Sequence, residues 1–243
     1  MDFGASAQFP ATAWTVVRAA KDRHSPEGVE ALNRCIAGYW RPVFYFVRAK
    51  GYSVHEAENL TQEFFSQFFE RDWIRRADPH RGRFRTFLLA VLSKFLADQK
   101  QPRAPRQQTF DDRMVCISAL LGEEERRFEP PAHQTAEEVF MREWAHAVIS
   151  NVARRLELWC QCRGRPDWYQ MFRQVCLPPP GAARATQQSL AEQLQCTRDQ
   201  VRYGLEEVNG QFIELLRAEV ADQVGPEDDL DTEIRELDSL LGG

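Results

Sequence analysis

The sequence predicts an all-α fold of two helical domains joined by an irregular linker. Three observations carry that expectation. Apolar residues recur at helical spacing over most of the 243 residues, and alternating strand-like runs are scarce. Capping-box pairs, in which residues three apart satisfy each other's backbone N–H groups, stand at Ser53/Glu56, Thr135/Glu138, Ser189/Glu192 and Thr197/Gln200. Residues 100–134 break the pattern with KQPRAPRQQ and LLGEEERRFEPP, rich in proline and charge. The expected domains are therefore 1–100 and 135–243, with 101–134 between them.

The elements follow in order. A short helix at 12–22 carries Trp14, Val16 and Val17. Ser25-Pro26 reads as a cap and a first-turn proline, opening a helix to about Lys50 that Gly51 ends. Pro42 inside it predicts a kink or break, because proline lacks the N–H and crowds the preceding turn. The next helix spans 54–71 and contains EAENLTQEFFSQFFER. Phe64, Phe65, Phe68 and Phe69 share one wide arc with Leu60 at its edge, a core-facing stripe. Glu56, Asn59, Glu63, Ser66, Gln67 and Glu70 fill the other side, a face that is either plain solvated surface or a docking surface. A polar stretch, RRADPHRGR, leads into a helix at 84–99. Thr135 opens a long helix to about Cys162, and PDWYQMFRQV forms another near 166–175. Two capped helices then follow in quick succession, starting at Ser189 and Thr197; short helix, turn, long helix is a helix-turn-helix. The tail EDDLDTEIRELDSLLGG forms a last amphipathic helix, with Leu230, Ile234, Leu237 and Leu241 on one side.

The net charge of −5 hides an asymmetry. Residues 1–110 hold 17 Lys and Arg against 11 Asp and Glu, a balance of +6, while the remainder carries −11. The N-terminal part is thus the candidate for touching a polyanion. No apolar run approaches the ~18 residues of a membrane helix, and no secretory pattern opens the chain, so no membrane insertion and a cytoplasmic location are expected. The six Cys form no CxxC pair, and reduced thiols are expected. Cys160, Cys162 and Cys176 are the nearest approach to a metal set, but lack the wider paired spacing of zinc sites. There is no Gly-rich phosphate loop, nucleophile elbow or HExxH, so neither an enzymatic site nor a cofactor is expected.

The segment 75–100 is more specific. Arg75, Arg76, Arg81, Arg83, Arg85, Lys94 and Lys100 surround Phe84, Phe87 and Phe95. Basic groups neutralise phosphates, and neighbouring aromatic surface receives unstacked bases. The aromatics also suit a core, but a loop does not need five Arg to fold.

These parts together resemble a bacterial RNA polymerase sigma factor of the extracytoplasmic-function class. The resemblance rests on YWRPVFYFVRAKG, SVHEAENLTQEFFSQFFERDW, DPHRGRFRTFLLAVLSKFLADQ, an irregular linker, and SLAEQLQCTRDQVRYGL in the C-terminal half. FPATAW at 9–14 and DLDTEIRELDSLL at 229–241 resemble a subgroup of long factors that open on FPAT-x-W and end in an acidic helix. The resemblance implies a sigma-2 helical bundle at 1–100 and a sigma-4 helix-turn-helix at 135–243. It implies docking of Glu56, Asn59, Leu60, Gln62 and Glu63 on the β′ clamp helices of core RNA polymerase, with Asn59 standing where an acid is usual. It implies that Arg76, Arg81, Arg83, Arg85, Lys94 and Asp98 meet promoter DNA at the −10 element, and that Arg198, Gln200, Arg202 and Tyr203 read the −35 element. An anti-sigma or other inhibitory regulator is a further implied partner.

One departure bears on that implication. Family members usually follow the start of the recognition helix with a dense run of His and Arg, whereas here Glu206, Glu207, Asn209, Gly210 and Gln211 follow. Acids repel the phosphate backbone, and each lost phosphate contact lowers the salt slope of binding by about 0.9. The alternative reading is therefore a sigma-derived protein-interaction module with weakened −35 binding.

Overall fold

The computed structural model describes residues 14–22, 24–99, 122–123, 127–131, 133–178, 181–221, 223–224 and 229–242. Among them every regular element is helical. Nine α-helices are seen: α1 Trp14–Ala19, α2 Pro26–Ala49, α3 Val54–Glu70, α4 Phe84–Gln99, α5 Ala136–Cys162, α6 Pro166–Cys176, α7 Gln187–Gln193, α8 Arg198–Ala221 and α9 Leu230–Leu241. Two single 3₁₀ turns, Trp73–Arg76 and Pro79–Arg81, join α3 to α4. No described helix is long and apolar enough to cross a membrane. The first four residues of FPATAW, with Ala13, and most of the expected linker lie outside the described residues.

The chain divides into two compact units, 1–148 with 220–243 and 149–219. That differs from the expected division. The boundary falls inside α5, and the tail groups with the N-terminal half. A capping box marks where a helix starts, not where packing changes partner. The bond from Trp144 Nε1 to Gln223 Oε1, at 2.9 Å and buried, illustrates the regrouping.

The first unit is built on aromatic burial. Phe64, Phe65, Phe68 and Phe69 of α3 are all buried, at about 2 kcal/mol each. Phe64 meets Phe95 of α4 at 5.5 Å, and Phe68 meets Phe84 and Phe87 at 6.4 and 6.2 Å. Tyr39 of α2 and Trp14 of α1 close on Phe84 edge-on. Phe46 reaches Phe140 of α5 at 6.3 Å. Arg48 donates to the backbone carbonyls of Tyr52 and Phe128. α2 is continuous through Pro42, so of the expected kink or break the break does not occur. A proline inside a helix costs about 3 kcal/mol, and the buried Tyr39, Trp40, Val43, Phe44, Tyr45 and Phe46 around it outweigh that loss.

The second unit packs Leu156 and Cys160 of α5 against Trp168, Met171 and Phe172 of α6 and Val201, Leu205 and Val208 of α8. Leu190 and Ala191 of α7 complete this core. Asn151 donates to Glu219 at 2.8 Å, and Arg155 pairs with the same carboxylate at 2.8 Å. α7 begins at Gln187 rather than at Ser189. Thr186 is its cap, and Ser189 answers as the third residue of the box.

Candidate nucleic-acid interface

The polar side of α3 is fixed at its start. The Ser53 N–H donates to Glu56 Oε2 at 2.8 Å, and the Glu56 N–H donates to Ser53 Oγ at 3.3 Å. Hydrogen bonding from the Ser53 side chain, then from its backbone, holds the Glu56 carboxyl below its usual range. Glu56 and Asn59 are exposed, and Asn59 Nδ2 lies 3.3 Å from His55 Nε2. Leu60 and Gln62 are half-buried. Glu63 is engaged within the unit, accepting from Gln67 at 2.7 Å and from Gln99 at 2.8 Å. The five expected docking residues thus lie along one helix, with Glu56 and Asn59 the most available.

The basic segment separates into two sets. Gly82 sits at φ 113°, a conformation that glycine adopts and other residues resist. Before it, Arg81 stands in solvent, its side chain 84% exposed and 3.8 Å from Asp78. After it, Arg83 is only 25% exposed and pairs with Glu233 and Glu236 of α9. Arg85 is buried outright. Its guanidinium donates to Glu233 Oε2 at 2.7 Å and lies 4.0 Å over the ring of Trp144. The expected contact of Arg85 with DNA is therefore corrected: the side chain is internal. The reason is an acidic partner 148 residues away, which no local pattern announces.

The other three expected −10 residues converge. Arg76, Lys94 and Asp98 line a cavity of about 270 Å³ together with Trp73, Phe87, Ala90 and Val91. Arg76 and Lys94 are exposed, and Trp73 and Phe87 half-buried. A cavity with aromatic lining and cations beside it suits one flat, unstacked group attached to a phosphate. Stacking a base on an aromatic ring contributes about 1–3 kcal/mol. Trp73 was not singled out from the sequence; its signal was a lone tryptophan just past the end of α3. Phe87 reads from spacing as core, and it is half exposed to the cavity instead.

In the second unit, Arg198, Gln200, Arg202 and Tyr203 are all exposed on the first turns of α8. Gln200 doubles as the cap partner of Thr197, accepting from its N–H at 2.9 Å. Arg202 lies 3.3 Å from Asp199. Tyr203, 56% exposed, leans edge-on against Trp168 at 6.0 Å. Arg165 stacks 4.4 Å from the Trp168 ring and forks onto Asp167 at 2.7 and 3.0 Å. That fork holds the Asp167 carboxyl below its usual range. Glu206 is exposed and Glu207 half-buried, so α8 does present acid beyond its first turns. Gly204 is a packing requirement: a Cβ there would stand 2.8 Å from Met171 Cε and 2.9 Å from Trp168 Nε1. Among the described residues no group of three His, Cys, Asp or Glu stands together as a metal site. Cys160 is buried, Cys162 exposed, and Cys176 donates weakly to Asn209 at 3.6 Å.

Comparison with protein families, curated proteins and solved structures returns no match to this chain.

Proposed function

We propose that the chain is a sigma factor of the extracytoplasmic-function type. It binds core RNA polymerase through α3, directs it to a promoter, helps open the DNA, and answers to an inhibitory regulator. The observation that carries this reading is the cavity lined by Trp73, Phe87, Arg76, Lys94 and Asp98 in a unit whose adjoining helix α3 sets Glu56 and Asn59 in solvent. One unit then offers a polymerase-facing surface and a receptor for an unstacked base. The DNA-facing set is Arg76, Arg81, Arg83, Lys94 and Asp98, with Trp73 and Phe87 as stacking surfaces. Residues 198–203 supply the −35 contacts, and no catalytic residue is assigned.

The test separates the two surfaces. Asn59→Arg changes an exposed side chain, so helix content stays constant while affinity for core polymerase falls about tenfold, a loss of 1.4 kcal/mol. Arg76→Ala with Arg81→Ala leaves core affinity intact and reduces open-complex formation. Unchanged core affinity in Asn59→Arg would remove α3 as the docking helix.

A second reading is favoured by α8 alone. Tyr203 and Ile213 are exposed large hydrophobics on this helix, with the exposed acids Glu206 and Glu214 beside them. That surface suits a protein better than a phosphate backbone. Under this reading unit 2 binds a regulator tightly while duplex −35 DNA has no measurable effect on initiation.

A further inference from the structure

The acidic helix α9 lies against the arginines of the basic segment. Residues 229–241 hold five acids and one arginine. Two of those acids reach Arg83 and Arg85, and they do so unequally. Glu233 and Arg85 are sealed, with side chains 0% and 1% exposed. Glu236 is 42% exposed and Arg83 25%, and their contact is a two-point fork: Nη1 to Oε2 at 2.5 Å and Nη2 to Oε1 at 3.2 Å. The inner pair is a fixed staple. The outer contact is partly open to solvent on both sides, so an incoming oxyanion can replace Glu236 on the Arg83 Nη atoms while Glu233 keeps the Arg83 Nε and Arg85.

We infer that α9 is an inbuilt competitor for nucleic acid: Glu236 occupies the position that a phosphate takes on Arg83, and the Arg85–Glu233 pair holds the helix in place while Glu236 yields. The inference rests on the reading of the basic segment as a DNA-facing surface. A carboxylate and a phosphate offer the same planar pair of acceptors to a guanidinium. The competitor is tethered, so its local concentration is set by the fold and not by the solution. The protein binds DNA below its capacity until polymerase, a regulator or a high local phosphate concentration displaces Glu236.

The experiment uses the full-length chain and a fluorescein-labelled single-stranded oligonucleotide of mixed sequence, followed by anisotropy. Glu236→Gln removes the carboxylate fork from Arg83 Nη1 and Nη2, while Glu233 keeps both the Arg83 Nε and Arg85. Affinity at 50 mM salt rises about threefold, and the slope of log affinity against log salt steepens by about 0.7 for the one added phosphate contact, so the gain shrinks about 2.6-fold by 200 mM. Asp238→Asn, the same charge change on an exposed acid of α9, gives no such gain, and adding Arg83→Gln to Glu236→Gln abolishes it. A separate readout is the rate at which phenylglyoxal modifies Arg83, measured by mass spectrometry. It rises in Glu236→Gln and falls when the oligonucleotide is added. An unchanged modification rate in Glu236→Gln overturns the clasp, whatever the DNA does. A faster rate with unchanged DNA affinity overturns the nucleic-acid reading of Arg83, and the competition with it. An equal gain in Asp238→Asn reduces the effect to net charge and also overturns the proposal.

Discussion

Glu233→Leu is the sharpest probe of the first unit. It leaves Arg85 with its side chain 1% exposed and without the carboxylate that lies 2.7 Å from it. The remaining neighbours are the Trp144 ring at 4.0 Å and the more distant Glu236 oxygen at 3.4 Å. Removing one member of a buried ion pair costs about 3–5 kcal/mol, because the other charge stays desolvated. For a chain of this size each kcal/mol moves Tm by about 2–4 °C, so the midpoint falls by about 6–20 °C. Arg85→Met is also costly, since it leaves the buried Glu233 with the Arg83 Nε as its remaining cation. The double variant replaces the pair with apolar side chains of similar reach, and such replacements are often neutral or stabilising. Denaturant unfolding followed by tryptophan fluorescence and by circular dichroism reads all four corners of the cycle, with Trp144 reporting from the pair itself. The single variants lose far more than the double one. If either single variant costs less than about 1 kcal/mol, the pair behaves as a surface salt bridge and the staple is wrong. Additive losses would equally refute the coupling.

Other perturbations follow from named contacts. Gly204→Ala gains about 1 kcal/mol of helix propensity but drives a methyl into Trp168 and Met171, an overpacking cost of about 1–3 kcal/mol, so denaturant midpoints fall or stay level. Gly210→Ala, in the same helix and with open space at the added carbon, raises stability by about 1 kcal/mol and the midpoint with it. His146 is held below its ordinary value of 6.5, first by burial and then by the charges of Arg142 and Arg41. Its neutral form is the one the fold accepts, so stability is full above pH 6.5 and declines as pH falls below it; His146→Gln flattens the midpoint-against-pH curve over that window. Asp167, depressed by Arg165, contributes above its ordinary value of 3.8 and loses that contribution as pH falls further, and Asp167→Asn removes this acid-side decline.

What the sequence made legible was local. Ser53 and Glu56 are three residues apart, and the Phe stripe repeats every turn, so α3 and its two faces follow from spacing alone. Thr186 took the cap from Ser189 because both residues satisfy the same rule, and only the backbone chooses between them. The break that Pro42 allowed does not occur, because its cost is local while the burial that offsets it comes from packing against other helices. The fate of Arg85 lay furthest from view. A run of arginines beside phenylalanines reads as one basic face, yet Gly82 turns the chain and Glu233, 148 residues away, draws the last arginine inside. Trp73 and Phe87 followed the same logic in reverse. The spacing of Phe87 suits a core and Trp73 drew no reading, and the cavity they line forms only once α4 has packed.

The most direct test of the sigma-factor reading is run-off transcription, with the purified full-length protein added to core RNA polymerase on a library of promoter fragments. The reading predicts specific transcripts from fragments sharing a −10 element, lost in Arg76→Ala with Arg81→Ala and lowered in Asn59→Arg. Tight binding to core without any specific transcript, or no binding to core at all, would contradict it.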